Sequence, residues 1–144
     1  MEIKFYENVD DSLLKFAVII AKHSGKFVFC KHKERETYEI PGGHRESGEK
    51  IEYTARRELY EETGAVDFII EPVCFYSVIG KNRVNKEGNE TFGMLFFAEI
   101  KKFEHELHNE IERVDLFDNI PENLTYPDIQ PILIDEFLRR KNGI

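Results

Sequence analysis

Apolar residues in the first third of the chain form short runs separated by polar breaks. Residues 14–20 and 27–30 are apolar runs of strand length and are predicted to be β-strands. The Ser24-Gly25 pair between them is typical of a turn. Residues 31–39 are polar and basic, which indicates a surface loop. Residues 40–43, Ile-Pro-Gly-Gly, are expected to interrupt regular structure, because proline fixes one backbone torsion and glycine allows unusual ones.

The next segment has the spacing of one helical face. Ile51, Ala55 and Leu59 recur every four residues, so a helix is predicted over residues 50–63. Gly64 follows directly, and glycine is the residue that most readily adopts the left-handed conformation that ends a helix.

Apolar runs of strand length return after this helix. Residues 127–141 are predicted to form a C-terminal helix, with Pro131 near its first turn, where proline is best tolerated. The predicted arrangement is an α+β fold, an α/β/α sandwich around a mixed β-sheet. The strands predicted in this half cover residues 66–70, 73–79, 91–100 and 111–117, with a hairpin turn at residues 86–89.

The composition fits one soluble domain covering residues 1–144, since 41% of the residues are hydrophobic and 33% are charged. No apolar run approaches the roughly 20 residues of a membrane-spanning helix, and no secretion signal is recognisable at the N-terminus. The net charge of −8 opposes bulk attraction to a polyanion. We therefore expect no membrane and no nucleic-acid partner. Cys30 and Cys74 lie in apolar runs, as free thiols in a reducing cytoplasm do, and a cytoplasmic location is expected.

Three carboxylates share one face of the predicted central helix. Glu58, Glu61 and Glu62 are spaced i, i+3, i+4, so they lie within about one turn of each other. The ordinary interpretation of such a run is a solvated acidic face. The alternative is a site for a hard divalent cation, which prefers oxygen ligands and would offset the repulsion between the carboxylates.

The segment from Gly43 to Ala65, GHRESGEKIEYTARRELYEETGA, favours the second interpretation because it resembles the Nudix box of the MutT-like hydrolases. One position departs from the pattern: Ala65 stands where a larger aliphatic residue is usual. The positions that match, with the family's spacing, are Gly43, Glu49, Arg57, Glu58, Leu59, Glu61, Glu62 and Gly64.

The resemblance implies the Nudix fold, with the box forming a loop–helix–loop beside a mixed sheet. It implies that Glu58, Glu61 and Glu62, with the carbonyl of Gly42, bind Mg²⁺, with Mn²⁺ as the alternative metal. It further implies that Arg57 orients a catalytic glutamate and that Glu49 braces the loop.

The general base is expected to be Glu58 or Glu62, or a residue from another loop. In several relatives a carboxylate outside the box completes the site. By its order in the chain Glu99 is the candidate here, although an ordinary glutamate at a strand end is an equal explanation.

Residues proposed to contact substrate are supported only by their position. Lys31 and Arg35 precede the box, and Arg83 lies near the predicted hairpin; each of them could bind phosphate, although solvated loop cations are the more common case. Asp128 and Gln130, by their position near the last helix, are candidates for contact with a base edge. None of the five histidines shows a recognisable metal-ligand spacing.

The substrate is inferred by elimination within the family. The proline that marks the ADP-ribose type would fall near Ile79, and the tyrosine of the diadenosine polyphosphate type would fall near residues 80–82; neither is present. The sequence therefore favours a nucleoside triphosphate pyrophosphohydrolase of MutT type, acting on a small nucleotide such as 8-oxo-dGTP. Hydrolysis of ADP-ribose or a sugar nucleotide, a non-catalytic nucleotide sensor and a purely structural interaction domain are the alternatives. The sequence leaves the oligomeric state open.

Overall fold

The structure is a computed structural model that describes residues 1–81, 85–104 and 111–142. Two α-helices, α1 (Ile51–Thr63) and α2 (Gln130–Asn142), accompany the sheet, and a short 3₁₀ helix (Asp11–Leu13) precedes its second strand. The strands are β1 (Glu2–Tyr6), β2 (Leu14–His23), β3 (Lys26–His32), β4 (Tyr38–Glu39), β5 (Gly42–His44), β6 (Ala65–Ile79), β7 (Thr91–Phe103) and β8 (Ile111–Phe117).

All eight strands belong to one mixed sheet. Its main order is β1-β6-β7-β2-β3-β4, while β5 pairs with β2 and β8 pairs with β3. Strands β2 and β7 run parallel, with Val18 beside Leu95, and the other named strand pairs are antiparallel. The predicted mixed sheet is confirmed.

The two helices cover opposite faces of this sheet. Side chains alternate between the faces of a strand, so Ile19 of β2 packs with Ala55 and Leu59 of α1. Its neighbour Ile20 packs with Leu133 and Ile134 of α2 instead. Two apolar cores therefore lie on the two sides of the sheet, as an α/β/α sandwich requires.

Helix α1 matches its prediction within one residue. Gly64 ends it with a φ of 77°, and the Gly64 N–H donates to the Tyr60 carbonyl oxygen over 2.8 Å. Helix α2 begins at Gln130, three residues later than predicted, with Pro131 in its first turn. Neither helix in the described part of the chain is long and apolar enough to cross a bilayer.

Several strand predictions were incomplete or wrong. The predicted loop at residues 31–39 contains the end of β3 and the short β4. The predicted break at residues 40–43 includes the first two residues of β5, Gly42 and Gly43, which pair with Val18 and Ala17 of β2. The two strands predicted at 66–70 and 73–79 are one strand, β6. A change of register between Pro72 and Cys74 accommodates the proline, which has no N–H to donate.

Candidate active site

Helix α1 carries its acidic face to the edge of β5. Ile51, Ala55 and Leu59 are at most 7% exposed and fix the rotation of the helix against the sheet. Residues three and four positions further along a helix share a face. The rotation that buries the apolar face therefore turns the carboxylates of Glu58 and Glu62 toward the two glycines of β5.

Arg57 connects the carboxylates of this region. Its Nε and Nη2 donate to the two oxygens of Glu49 over 2.6 and 3.0 Å. Its Nη1 donates to Glu58 over 2.7 Å and to Glu61 over 3.2 Å. Hydrogen bonds to Glu49 are the main cause that raises the pKa of Arg57, so the guanidinium stays charged. One cation thus holds three carboxylates in a planar fork, which a lysine could not reproduce.

Glu49 ties Arg57 to the loop before the helix. Besides Arg57, it accepts hydrogen bonds from the Thr54 hydroxyl over 2.8 Å and from the Glu46 N–H over 2.9 Å. The hydrogen bond from Arg57 is the main reason why the pKa of Glu49 falls to about 2. These contacts are those that a loop-bracing residue would make.

The two glycines of β5 are needed for different close approaches. A Cβ on Gly43 would lie 2.4–2.6 Å from the carboxylate atoms of Glu58. A Cβ on Gly42 would lie 2.6 Å from the carbonyl oxygen of Ala17 in β2. In addition, the Gly42 N–H donates to Oε1 of Glu62 over 2.8 Å. Gly43 therefore leaves room for a carboxylate, whereas Gly42 lets β5 pair closely with β2.

The crowded carboxylates suit a divalent cation. Burial, followed by the charge of Glu62, raises the pKa of Glu58 to about 7. Burial also raises the pKa of Glu62. Desolvated carboxylates that repel one another gain most from a cation, which takes the place of protons. The glutamates of α1 offer only oxygen ligands, which suit Mg²⁺ or Mn²⁺.

Two residues that sequence analysis did not assign complete this cluster. The Nε2 atom of His32, at the end of β3, lies 2.9 Å from Oε1 of Glu39 in β4 and 3.3 Å from Oε2 of Glu62. The ligand atoms of these three residues lie within 4.8 Å of one another. Arg35 also reaches this group, since its Nη1 donates to Oε2 of Glu39 over 2.7 Å. No local spacing could reveal the group, because three separate elements contribute to it.

The outcome differs among the three cations predicted to bind phosphate. The Lys31 side chain is 5% exposed, and its ammonium lies 2.9 Å from Glu112. Arg35 is engaged with Glu39, and Arg83 lies outside the described residues. In the structure, Lys31 and Arg35 therefore bind carboxylates of the protein itself.

Glu99 lies away from the box glutamates. Glu99 pairs with Lys22 of β2, whereas Gly42 pairs with Val18 of the same strand. The two pairings are thus four residues apart along β2. At ~3.3 Å per residue this is about 13 Å. Ala98 and Ile100 pack on the α1 side, so the side chain between them points to the opposite face. Its Oε2 atom is buried, without a hydrogen-bond partner among the described residues.

A cavity of about 150 Å³ opens beside β5, between the sheet and the start of α2. Phe16, Val18, Tyr76 and Leu133 form its apolar wall. Gln130 also lines it, and its Oε1 atom accepts a hydrogen bond from the Ile40 N–H over 2.9 Å. The cavity reaches Gly42, Gly43 and Glu39, so a molecule bound there would extend to the carboxylate cluster.

Comparison with known sequences places the chain in a family. The NUDIX domain family matches residues 12–130. A Bacillus subtilis protein named "Putative 8-oxo-dGTP diphosphatase YtkD" is 35% identical over 112 residues, which cover 77% of this chain and 66% of that protein. The ADP-ribose pyrophosphatase of the same organism is 50% identical over 52 residues, or 33% of this chain and 28% of that enzyme. The chain thus aligns with less than two thirds of either relative's length.

Solved structures agree with this assignment. A mutant of the Bacillus subtilis pyrophosphohydrolase BsRppH superimposes with a TM-score of 0.75 and 27% identity, over 99% of this chain and 92% of that one. The NUDIX domain of Shewanella oneidensis NrtR, solved with ADP ribose, has a TM-score of 0.68 at 16% identity, over 93% of this chain and 94% of that one, and shares the fold. From the family match, the YtkD relative and the common fold, the chain belongs to the Nudix hydrolase family.

Proposed function

We propose that this protein is a metal-dependent pyrophosphohydrolase of MutT type that cleaves a nucleoside triphosphate such as 8-oxo-dGTP. The observation that carries the proposal is that Glu58 and Glu61 converge on Arg57, while Glu58 and Glu62 lie against the two glycines of β5. The substrate class is supported by the similarity to YtkD, which covers 77% of this chain.

In this proposal Glu58, Glu61, Glu62 and the carbonyl of Gly42 hold Mg²⁺ or Mn²⁺. When bound, the metal neutralises the diphosphate charge and lowers the pKa of an attacking water. Glu99 is left out of the ligand set, because its register places it away from the other glutamates.

Glu58 is the proposed general base. Its Oε1 atom accepts from Arg57, which leaves Oε2 to take a proton from water. Arg57 is fixed in turn by its two hydrogen bonds to Glu49, so Glu58 is oriented before substrate arrives. Glu62 is the second candidate for this role.

The cavity beside β5 is the proposed site for the base and sugar. Its apolar wall suits a planar ring, and the Gln130 amide offers hydrogen-bonding atoms at its edge. A small nucleotide in this cavity would place its phosphates at the carboxylate cluster. The absence of a nucleic-acid partner and the cytoplasmic location remain predictions.

The test is a phosphate and pyrophosphate release assay over a panel of nucleoside triphosphates, 8-oxo-dGTP, ADP-ribose and sugar nucleotides, with and without Mg²⁺. We expect triphosphates to be preferred and turnover to require the metal. Glu62→Gln should lower turnover by on the order of 10²-fold or more. Glu52→Gln, on an exposed position of the same helix, is the matched control and should be neutral.

The other outcomes separate the alternatives. Preference for ADP-ribose, the substrate named for the relative that is 50% identical over 52 residues, would reject the triphosphate assignment. Tight nucleotide binding without turnover in saturating Mg²⁺ would identify a nucleotide sensor. An unchanged activity and metal affinity in Glu62→Gln would reject the proposed metal site altogether.

A further inference from the structure

We propose that His32 is a positioning residue that holds Glu62 ready to bind the divalent metal. The inference rests on the proposed function, because it concerns the same metal site. His32 belongs to β3, outside the box, and we propose that Glu39 and Arg35 support its position.

Glu62 is held at both ends of its carboxylate. Oε1 accepts from the Gly42 N–H over 2.8 Å, and Oε2 lies 3.3 Å from Nε2 of His32. Each carboxylate oxygen has two lone pairs, so these two contacts leave capacity for a cation. The contacts come from β5 and β3, and together they limit the rotation of the Glu62 side chain.

His32 is in turn in contact with a second carboxylate, which has its own arginine partner. Its Nε2 lies 2.9 Å from Glu39, and Glu39 accepts from Arg35 over 2.7 Å. The exposed fractions are 28% for the Arg35 side chain, 9% for Glu39 and 13% for both His32 and Glu62. The Arg35–Glu39 ion pair is less exposed than an ordinary surface pair, so solvent and salt screen it less. The series therefore transmits a fixed position from the β3–β4 turn to Glu62.

Arg57 does not serve Glu62 in the same way. Among the described contacts, its donors reach Glu49, Glu58, Glu61 and the His44 carbonyl, and none reaches Glu62. Two basic side chains thus divide the carboxylates between them, with Arg57 holding Glu58 and Glu61 and His32 holding Glu62.

His32 could instead bind the metal directly. Its Nε2 atom lies 2.9 and 3.3 Å from two carboxylate oxygens, and these are separations that ligands of one ion can also have. We assign His32 the orienting role that partners of metal ligands commonly have, and electron spin echo modulation distinguishes the two roles.

The test compares His32→Asn with His32→Gln in the full chain. The glutamine amide reaches about as far as Nε2, whereas the asparagine amide is one methylene shorter. The dissociation constant of Mn²⁺ is measured by electron paramagnetic resonance, without substrate. We expect Asn to weaken Mn²⁺ binding by about 10- to 100-fold and Gln to restore most of the affinity.

His23→Asn is the matched control, since His23 also ends a strand and binds a backbone carbonyl, at Ile100. It should leave Mn²⁺ binding unchanged, and thermal unfolding should show that all three variants are folded. Equal Mn²⁺ affinity in native, Asn and Gln proteins would overturn the proposal. So would electron spin echo modulation from a directly bound histidine nitrogen in the native protein.

These results separate the inference from the proposed function. If the native protein turns over substrate and His32→Asn binds Mn²⁺ with unchanged affinity, only the role of His32 is rejected. Native protein that binds Mn²⁺ but hydrolyses nothing rejects the proposed function, while the comparison of Asn with Gln still decides the role of His32.

Discussion

The two helices have the same length and opposite charge balance. Each has 13 residues and packs on one face of the sheet. On α1, one cation, Arg57, faces the carboxylates of Glu49, Glu58 and Glu61. On α2, one carboxylate, Glu136, faces both Arg139 and Arg140.

The surroundings of the two networks also differ. The Arg57 side chain is 15% exposed, and the Glu49, Glu58 and Glu61 side chains are 9–35% exposed. On α2 the Arg139 side chain is 68% exposed, while those of Arg140 and Glu136 are 24% and 11% exposed. Cations in the last turn of α2 are favoured by the helix dipole and need no further partner. Excess negative charge away from water is unfavourable for folding alone. The α1 network therefore suits a function that supplies positive charge, whereas the α2 network has two cations for its one carboxylate and needs no added cation.

The largest effect should come from filling the space beside the α1 network. In Gly43→Ala the new Cβ would displace the Glu58 carboxylate, a flexible side-chain end, so we expect about a 100-fold loss of turnover with little loss of stability. Gly42→Ala is the matched comparison, because its Cβ would meet the backbone of β2. It should lower the free energy of unfolding by roughly 1–3 kcal/mol. Turnover assays and denaturant unfolding of both variants would show whether the two glycines differ as proposed.

An intermediate effect is expected when the shape of one cation changes. Arg57→Lys keeps the charge but cannot bind both oxygens of Glu49 while reaching Glu58, so turnover should fall by about 10- to 100-fold. Arg139→Lys makes the same change on α2 and should alter the free energy of unfolding by less than about 0.5 kcal/mol and turnover not at all. Equal losses of activity in the two variants would contradict the distinction between the networks.

The smallest effect concerns acid stability. The pKa of Glu49 in the folded protein is about 2, below its usual value of 4.5, so its ion pair stabilises the fold fully above pH 4.5. That contribution is lost as the pH falls toward 2. Glu49→Gln should therefore lower the Tm at pH 7, and the difference in Tm from the native protein should shrink as the pH falls to 3. A Tm difference that stays constant over this range would show that the ionised form of Glu49 does not stabilise the fold.

Local patterns were sufficient where one element supplies all the residues. The helix that carries Glu58, Glu61 and Glu62 was predicted within one residue of its observed limits, because apolar spacing fixes both its existence and its buried face. Gly64 was predicted to end it and does so. The strands at residues 14–20 and 27–30 were also recovered, although both are longer in the structure.

Elements and contacts that depend on distant partners were missed or placed differently. β1 carries no strong local signal and is defined by its pairing with β6, more than 60 residues away in sequence. Glu99 was considered for the metal site by its order in the chain, but sheet register and the alternation of side chains put it elsewhere. Lys31 was considered for phosphate binding, and its ammonium lies against Glu112.

By itself the sequence determined the α+β class, the central helix and the set of box residues, since each depends on spacing within a short segment. Only the tertiary structure decided which side chains surround those residues. His32 and Glu39 reach Glu62 because β3, β4 and α1 converge, and this convergence follows from strand pairing across the sheet. Strand pairing joins residues far apart in the chain, so no local pattern records it.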